Sequence, residues 1–235
     1  MAQPAGEVLE AIGTGMPAQT YSAGVCHLTD EHPVILIIDD DPSMRATLAD
    51  VMRSVGLAVQ TFASAKDFLG SQLPDAPACL VLDVRLPGQS GLDLHRTLAE
   101  SGVELPVVFI SGHGDVQISV QAMKAGAVDF LAKPFRDQDL LDAVHEGIER
   151  DRARRGRAVK TAELHKRYRS LTERERDIMA LVVLGDPNKQ IAAKLALAEV
   201  AVKAHRRQIM HKMRARSLPE LVRMAGRLRG APDQP

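Results

Sequence analysis

The sequence predicts an α/β protein with a doubly wound, five-stranded parallel sheet, followed by a small all-α domain. Two observations on hydrophobic pattern and one on charge predict this. Between residues 33 and 150, short apolar runs alternate with amphipathic helical stretches, the pattern of βαβ units that cover a parallel sheet on both faces. From residue 169 the apolar spacing is helical throughout. Residues 1–149 contain 8 Lys and Arg against 21 Asp and Glu, whereas residues 150–230 contain 22 against 8. Such a split predicts two domains with different partners.

The first domain is predicted to occupy residues 33–150. Its strands are expected at residues 34–38, 58–62, 79–83, 107–111 and 128–131. Its helices are expected near residues 43–55, 64–70, 91–101, 115–125 and from 137 onward. Asp41 is the expected N-cap of the first helix, with Pro42 at its first helical position.

A helical linker over residues 151–168 is predicted to lead into a second domain at residues 169–230. Helices there are expected at about residues 173–184, 188–195, 199–213 and 218–228. Thr172 and Glu175 have the spacing of a capping box at the start of the first of these helices. A unit this small, with a two-helix turn and a basic third helix, follows the helix-turn-helix pattern.

Several classes of protein are disfavoured by the rest of the sequence. No apolar stretch approaches the roughly 20 residues of a membrane span. Residues 1–24 lack the basic start and continuous apolar core of a secretory signal. Two cysteines, Cys26 and Cys79, are too few for a disulfide framework. We therefore expect a cytoplasmic protein with no membrane partner, and a disordered tail over residues 1–32, which are rich in Ala, Gly and Pro.

Polar side chains end four apolar runs of the first domain. Asp39-Asp40-Asp41 follow one run, Asp83 and Ser111 each close another, and Lys133 follows the last. Because parallel strands present their carboxyl ends at one edge, where open α/β sheets bind ligands, these groups are expected to converge. Each residue alone has an ordinary structural explanation as a cap, a turn residue or a surface lysine. Their joint placement favours a functional site.

The chemistry of this set suits a divalent cation together with a phosphoryl group. Asp40 and Asp83 can ligate Mg²⁺ (or Mn²⁺) directly, with Asp39 assisting through water, because such cations prefer carboxylate oxygens. An Asp carboxylate can attack phosphorus and form an aspartyl phosphate. Lys133 would neutralise the charge of the transferring group, and Ser111 would donate a hydrogen bond to one of its oxygens.

The ordered motifs of this domain resemble the receiver domain of two-component response regulators over about residues 33–150. The matching segments are Ile37-Ile38-Asp39-Asp40-Asp41-Pro42, Asp83-Val84-Arg85-Leu86-Pro87-Gly88, Ile110-Ser111-Gly112-His113 and Lys133-Pro134-Phe135. The resemblance implies a flavodoxin-like fold with Asp83 as the phosphoacceptor. It also implies that Asp39, Asp40 and the backbone carbonyl of Arg85 serve the metal.

A partner histidine kinase and a switch also follow from this resemblance. The kinase would supply the phosphoryl group, and the receiver would catalyse its own modification. Phe130 falls at the family's switch aromatic, and a core position in the fifth strand is compatible with that role. Receivers of this kind often pair through their fourth helix and fifth strand, here roughly residues 115–135.

A phosphatase of the haloacid dehalogenase type is the main competing class. It also uses an Asp at a strand end, a lysine and Mg²⁺. That family requires a second Asp two residues after the nucleophile, where this chain has Arg85, and the acidic pair stands in the wrong order along the chain. We therefore expect no enzyme activity on separate substrates, only Mg²⁺-dependent phosphorylation and dephosphorylation of the receiver itself.

Duplex DNA suits the basic domain better than single-stranded nucleic acid does. Tyr168 is the only aromatic residue of the basic half, so a base-stacking platform is poorly supported. A recognition helix at about residues 199–213 is expected in the major groove. Ile191, Leu195 and Val202 are expected to form the apolar elbow behind it. The predicted DNA contacts are Asn188, Lys189, Val200, Lys203, His205, Arg206, Arg207 and Lys212.

The basic domain resembles the LuxR-type helix-turn-helix over about residues 169–230. The matching segments are Leu171-Thr172-Glu173-Arg174-Glu175, Gly185, Asn188-Lys189-Gln190-Ile191-Ala192, Val202-Lys203-Ala204-His205-Arg206, Ile209-Met210-His211-Lys212-Met213 and Ser217-Leu218-Pro219-Glu220-Leu221-Val222. Both domains together resemble the FixJ/NarL class, nearest its FixJ branch. This implies a transcriptional regulator that forms a homodimer on phosphorylation and binds two promoter half-sites. RNA polymerase is a further partner that fits this class.

Two positions depart from the family pattern. Ala198 and Ala201 stand where the family commonly has Ser and Thr near the start of the recognition helix. Ala at a cap costs about 1 kcal/mol relative to Ser, and a hydroxyl contact to phosphate is lost as well. An alternative function is therefore a regulator that acts mainly through protein–protein contacts and binds DNA weakly.

Overall fold

The computed structural model describes residues 32–112 and 116–230, and within them five parallel strands form one sheet. The strands are β1 (Val34–Ile38), β2 (Ala58–Phe62), β3 (Ala78–Asp83), β4 (Val107–Ser111) and β5 (Asp129–Ala132). The helices are α1 (Pro42–Ser54), α2 (Ala65–Leu69), α3 (Gly91–Glu100), α4 (Val116–Lys124), α5 (Asp137–Arg169), α6 (Glu173–Val183), α7 (Asn188–Leu195), α8 (Glu199–Met213) and α9 (Leu218–Gly230). The sheet order is β2-β1-β3-β4-β5. This confirms the predicted fold class, with strand bounds shifted by at most one residue.

Helices cover both faces of the sheet because each central strand is apolar on both sides. Along β1, Leu36 and Ile38 pack into the layer formed with α2, α3 and α4, whereas Ile35 and Ile37 pack into the layer formed with α1 and α5. The same alternation holds along β3 and β4. Since successive side chains of a strand point to opposite faces, one continuous apolar run supplies two core layers.

Cys79 in β3 is one of these core residues, and it lies under a close approach of α5. A Cβ atom on Gly147 of α5 would come within 2.4 Å of the Cys79 Sγ atom, so glycine is needed for this packing. Burial of the thiol raises the pKa of Cys79 to about 12. The thiol is therefore protonated at neutral pH and acts as an apolar core group.

Two predicted helix starts have the expected caps. The Asp41 side chain accepts a hydrogen bond from the Ser43 N–H at 2.8 Å, with Pro42 in the first helical position of α1. The Thr172 hydroxyl accepts from the Glu175 N–H at 3.2 Å, while the Glu175 carboxylate accepts from the Thr172 N–H at 2.8 Å. This reciprocal pair is the capping box predicted for α6.

Helix α5 is 33 residues long and contributes to two hydrophobic cores. Its first part buries Leu140 and Val144 against the sheet, and its last part buries Leu164 among α6 to α9, with Tyr168 packed against that cluster. Between them, the buried Asp151 carboxylate accepts a hydrogen bond from the Ala78 N–H at 3.0 Å, at the start of β3. Residues 151–168, predicted as a helical linker, lie within this helix.

The four C-terminal helices form their own core. Leu171, Ile178, Val202, Ile209 and Leu221 are among its buried members. Ile191 and Val202 are fully buried and Leu195 packs against them, which confirms the predicted elbow between α7 and α8. The side of α8 opposite its exposed basic residues therefore packs against this apolar core.

Two sequence predictions concern other parts of the chain. Apart from His32, the tail predicted over residues 1–32 lies outside the described residues. Among the helices of the described ranges, none is long and apolar enough to cross a bilayer.

Leu164→Ala tests whether α5 completes the C-terminal core. Removing this buried side chain should cost about 3 kcal/mol, because a core Leu-to-Ala change loses transfer free energy and leaves a cavity. Amide hydrogen exchange should accelerate in α6 and α8 and stay unchanged in β1. Val159→Ala, at a position of α5 that is 55% exposed, is the matched control and should change exchange in neither region. Parental exchange rates in the Leu164→Ala variant would contradict the shared core.

Candidate functional site

The carboxyl edge of the sheet brings together the polar residues that end its strands. Strands β1, β3, β4 and β5 are consecutive neighbours in the sheet, so the groups at their carboxyl ends lie side by side. Asp39 follows β1, Asp83 and Ser111 are the last residues of β3 and β4, and Lys133 follows β5. Asp39, Asp83 and Ser111 are buried.

The Lys133 ammonium bridges the two buried carboxylates. Its Nζ atom lies 2.8 Å from Asp39 Oδ2 and 2.7 Å from Asp83 Oδ2. The exposed fractions of the Lys133, Asp39 and Asp83 side chains are 17%, 0% and 9%. Charges this well shielded from water interact strongly, and the pairing offsets part of the loss of hydration of the three groups.

For Asp39 and for Lys133, burial and ion pairing shift the pKa in opposite directions. For Asp39, burial is the largest influence and raises the pKa, although the bonds to Lys133 and to the Asp41 N–H partly offset it. For Lys133, burial alone would lower the pKa, but the hydrogen bonds and negative charges of Asp39 and Asp83 together raise it. The two acids therefore favour the charged form of Lys133, whereas burial disfavours the charged form of Asp39.

The donor set of this pocket fits a hard divalent cation. Carboxylate oxygens of Asp39, Asp40 and Asp83 all lie within 4.8 Å of one another, and Asp40 is exposed while the other two are buried. Mg²⁺ typically takes one or two protein carboxylates and keeps several waters, which an open edge with one exposed acid permits. The positions of Asp39, Asp40 and Asp83 are thus compatible with a Mg²⁺ site.

Backbone contacts that sequence reasoning missed hold the acids in place. The Arg45 guanidinium donates to the Asp39 carbonyl oxygen at 2.6 Å. The Arg85 N–H donates to Asp83 Oδ1 at 2.9 Å, which is a separate contact from the carbonyl role predicted for Arg85. A Cβ atom on Gly91 would lie 2.3 Å from the Asp83 carbonyl oxygen, so only glycine allows α3 to start this close to β3. A Gly after the N-cap Ser90 is the one sequence signal for this approach.

The two predicted switch residues lie on neighbouring strands, Ser111 at the end of β4 and Phe130 in β5. The Ser111 carbonyl oxygen accepts a hydrogen bond from the Lys133 N–H at 2.7 Å, which links β4 to the segment after β5. Phe130 lies in β5, half-buried against the core layer of α3 and α4. Ser111 is therefore bonded to the segment that carries Lys133, and Phe130 belongs to the core layer that α4 covers.

One face of α8 projects away from the C-terminal core. Its exposed members recur at helical spacing and are Glu199, Val200, Lys203, Ala204, Arg207, Gln208 and His211. Val200, near the start of the helix, is 77% exposed. Ala204, Gln208 and His211 were not predicted as contacts, because the phase of the helix was not fixed by the sequence. Lys203 pairs with Glu199 at 3.4 Å on the surface, an interaction worth little.

The other predicted DNA contacts are placed differently. Arg206 Nη1 donates to Asn188 Oδ1 at 2.7 Å, and Lys212 Nζ donates to the buried Glu175 carboxylate at 2.7 Å. His205 is half-buried, whereas Lys189 at the start of α7 is exposed. The eight predicted residues therefore do not share one surface.

The start of α8 has the weak cap that the sequence predicts. Ala198 is the N-cap residue, in an extended conformation and with no side-chain hydrogen bond to the first turn. Ala201 follows within that turn and is half-buried.

Comparison with known families identifies both parts of the chain. A family model described as "response regulator receiver domain" matches residues 35–145. A second model, described as "bacterial regulatory proteins, luxR family", matches residues 169–225.

Full-length relatives share both parts in the same order. Nodulation protein W of Bradyrhizobium diazoefficiens is 53% identical, over 82% of this chain and 85% of that protein. Transcriptional regulatory protein FixJ of Azorhizobium caulinodans is 43% identical, over 80% of this chain and 90% of its own. The solved structure of the response regulator StyR is 44% identical, with a TM-score of 0.75, and covers 83% of this chain and 98% of that one.

Asp39→Asn should stabilise the protein in the absence of divalent cations. A carboxyl whose pKa is raised on folding holds its proton more tightly in the folded state, so its ionisation costs stability. That cost is absent below the ordinary pKa of 3.8 and complete above the folded pKa. Melting temperatures should therefore favour the variant at pH 8, with the advantage shrinking as the pH falls towards 4. Asp40→Asn, at the exposed acid, is the control and should shift stability by no more than about 0.5 kcal/mol. A variant less stable than the parent at pH 8 would contradict the conclusion that ionisation of Asp39 costs stability.

Ala198→Ser should strengthen the start of α8. A Ser hydroxyl at this N-cap can accept a hydrogen bond from the first turn, which typically contributes about 1 kcal/mol. The midpoint of urea unfolding should rise. Ala201→Ser provides a control of opposite sign, since Ser inside the helix is a weaker helix former than Ala. Equal midpoints for the two variants would argue against a capping deficit.

Proposed function

Since the chain belongs to the response regulators of the FixJ/NarL class, which join a receiver domain to a LuxR-type DNA-binding domain, we propose that phosphorylation of Asp83 controls its binding to duplex DNA. The cluster of Asp39, Asp83 and Lys133 supports this proposal most directly. The Lys133 ammonium lies against the carboxylates of Asp39 and Asp83, and Asp40 lies beside these two acids, which is the chemistry that a phosphoryl transfer to Asp83 requires.

The chemical step is a phosphoryl transfer to Asp83. A carboxylate oxygen of Asp83 forms a bond to phosphorus while the bond between phosphorus and the histidine nitrogen of a kinase breaks, and the electron pair stays on that nitrogen. Lys133 already lies 2.7 Å from Asp83 Oδ2, so its charge is in place for the oxygens of the new phosphate. Asp39, Asp40, Asp83 and the Arg85 carbonyl would hold Mg²⁺ or Mn²⁺, which supplies further charge neutralisation when bound.

Modification of Asp83 is proposed to act through Ser111 and Phe130. Ser111, at the end of β4, would donate a hydrogen bond to a phosphoryl oxygen, and Phe130 in β5 would repack in response. Beyond them, α4 exposes Val120 and Met123, whose exposed fractions are 44% and 47%. Apolar side chains exposed next to the switch support the face of α4 and β5 as the pairing surface of a phosphorylated homodimer.

The output of the pair is proposed to be sequence-specific binding to promoter DNA. Lys203 and Arg207 lie on the exposed face of α8. Val200 is exposed near the N-terminus of this helix, the end that would approach base edges. Two such helices related by a dimer axis would read half-sites about one helical turn apart. Contact of this dimer with RNA polymerase is a further part of the proposal.

Asp83→Asn tests the coupling between phosphorylation and DNA binding. The parent and the variant are treated with a small phosphodonor and Mg²⁺, and duplex binding is measured over a series of salt concentrations. The parent should bind more tightly after treatment, whereas the variant, which lacks the attacking carboxylate, should not respond. Log affinity should fall steeply and linearly with log salt concentration.

Two other outcomes would count against this function. An equal response of Asp83→Asn would rule out Asp83 as the phosphoacceptor. A parent that responds to the phosphodonor but shows no salt-sensitive DNA binding would favour a regulator acting through protein contacts, which the uncapped start of α8 at Ala198 also favours.

A further inference from the structure

The cationic side chains of α8 occupy two different environments. Lys203 and Arg207 lie on the exposed face, whereas Arg206 and Lys212 are partly buried. The difference follows from helix geometry, because the turn of about 100° per residue places Arg206 and Lys212 beside the buried side of the helix and Lys203 and Arg207 farther from it. Their charges are therefore engaged with different partners.

Lys212 is bound to the base of the domain. Its Nζ atom lies 2.7 Å from Glu175 Oε2, and the exposed fractions of the two side chains are 31% and 6%. The same Glu175 oxygen accepts from the Thr172 N–H at 2.8 Å in the capping box of α6. One carboxylate thus fixes both the start of α6 and the last turn of α8.

This carboxylate depends on Lys212. Burial of Glu175 raises its pKa, but the hydrogen bonds from Lys212 and Thr172 and the charge of Lys212 together lower it below the ordinary value. If Lys212 turned outward to a DNA phosphate, a buried negative charge would lose its cation, which is strongly unfavourable. Moving Lys212 from Glu175 to a DNA phosphate therefore costs free energy. Moving Lys203 from its surface partner Glu199 costs little.

Arg206 makes a comparable contact on the other side of α8. Its Nη1 atom donates to Asn188 Oδ1 at 2.7 Å, at the first residue of α7. Arg206 and Lys212 therefore tie α8 to its two neighbouring helices at points six residues apart. Two attachments at that spacing restrict both the tilt and the rotation of the helix.

We propose that Lys212 and Arg206 are positioning residues that orient the recognition helix, and that Lys203 and Arg207 carry the direct contacts to DNA. This rests on the proposed DNA-binding function and refines it. Lys212 acts through Glu175, and Arg206 acts through Asn188. Neither charge is released to a phosphate when DNA binds.

The dependence of DNA affinity on salt separates the two roles. Each phosphate contact contributes about 0.9 to the slope of log affinity against log salt concentration. We suggest measuring this slope, expressed per bound protomer, for the full chain treated with phosphodonor and Mg²⁺, on a random-sequence duplex of about 30 base pairs, long enough for two recognition helices one turn apart. Lys203→Met should reduce the slope by about one. Lys212→Met should weaken binding on the order of tenfold and leave the slope unchanged.

Glu175→Gln completes a double-mutant cycle with Lys212→Met. Gln at position 175 can still form the capping box, so the start of α6 stays intact. The variant removes only the negative charge that faces Lys212. If Lys212 acts through Glu175, the double variant should bind no more weakly than Lys212→Met alone. Additive losses, together with a slope lowered by about one in Lys212→Met, would overturn the positioning role.

Lys212→Gln keeps the test decisive if Lys212→Met fails to fold. Gln carries no charge but can still donate a hydrogen bond to Glu175, so the positioning role predicts a parental slope with a smaller loss of affinity than in Lys212→Met. A slope reduced by about one in this variant would identify Lys212 as a phosphate contact, with DNA binding itself intact. A parent without any salt-dependent binding would instead overturn the proposed function, and this inference with it.

Discussion

The bridge from Lys133 to Asp39 and Asp83 is the interaction on which the rest of the receiver domain depends. Two acids at the ends of adjacent strands are costly in a buried pocket, and a single ammonium 2.8 Å and 2.7 Å away compensates for both. The sheet order makes this possible, because β5 lies next to β4 and can return Lys133 towards β3 and β1. The same cation neutralises the resting acids and is in position to face an added phosphate. Burial nevertheless raises the pKa of Asp39, so this one cation offsets only part of the cost of burying the Asp39 charge.

Much of this arrangement could be predicted from the sequence, for a physical reason. Strands buried on both faces appear as continuous apolar runs, so the residues that end them can be read directly, and parallel strands oblige those residues to meet. Asp39, Asp83, Ser111 and Lys133 were all placed in this way. The caps at Asp41 and Thr172 were equally accessible, because a cap depends on residues within one turn. The roles that the family resemblance assigns to these residues remain predictions that the proposed experiments address.

Contacts between distant segments were out of reach of the same reasoning. The bond from Arg45 to the Asp39 carbonyl, the approach of Gly91 to Asp83 and the pair of Lys212 with Glu175 each depend on how two elements pack. In α8 the sequence identified every cation but could not assign each one to a face, since an error of one residue rotates a helix by about 100°. The eight predicted DNA contacts therefore mixed exposed residues with residues bonded inside the domain.

The continuity of α5 has a consequence for how such regulators can be assembled from parts. Helix α5 packs against the sheet at Leu140 and into the C-terminal core at Leu164. The number of residues between these two positions therefore sets the rotation of one core relative to the other about the helix axis. Each residue added or removed between them would turn the downstream domain by about 100° and shift it by about 1.5 Å, whereas seven residues would restore nearly the same facing. When parts of two regulators of this type are joined within this helix, the number of residues between the two cores must therefore change by whole helical repeats if the C-terminal domain is to keep its orientation.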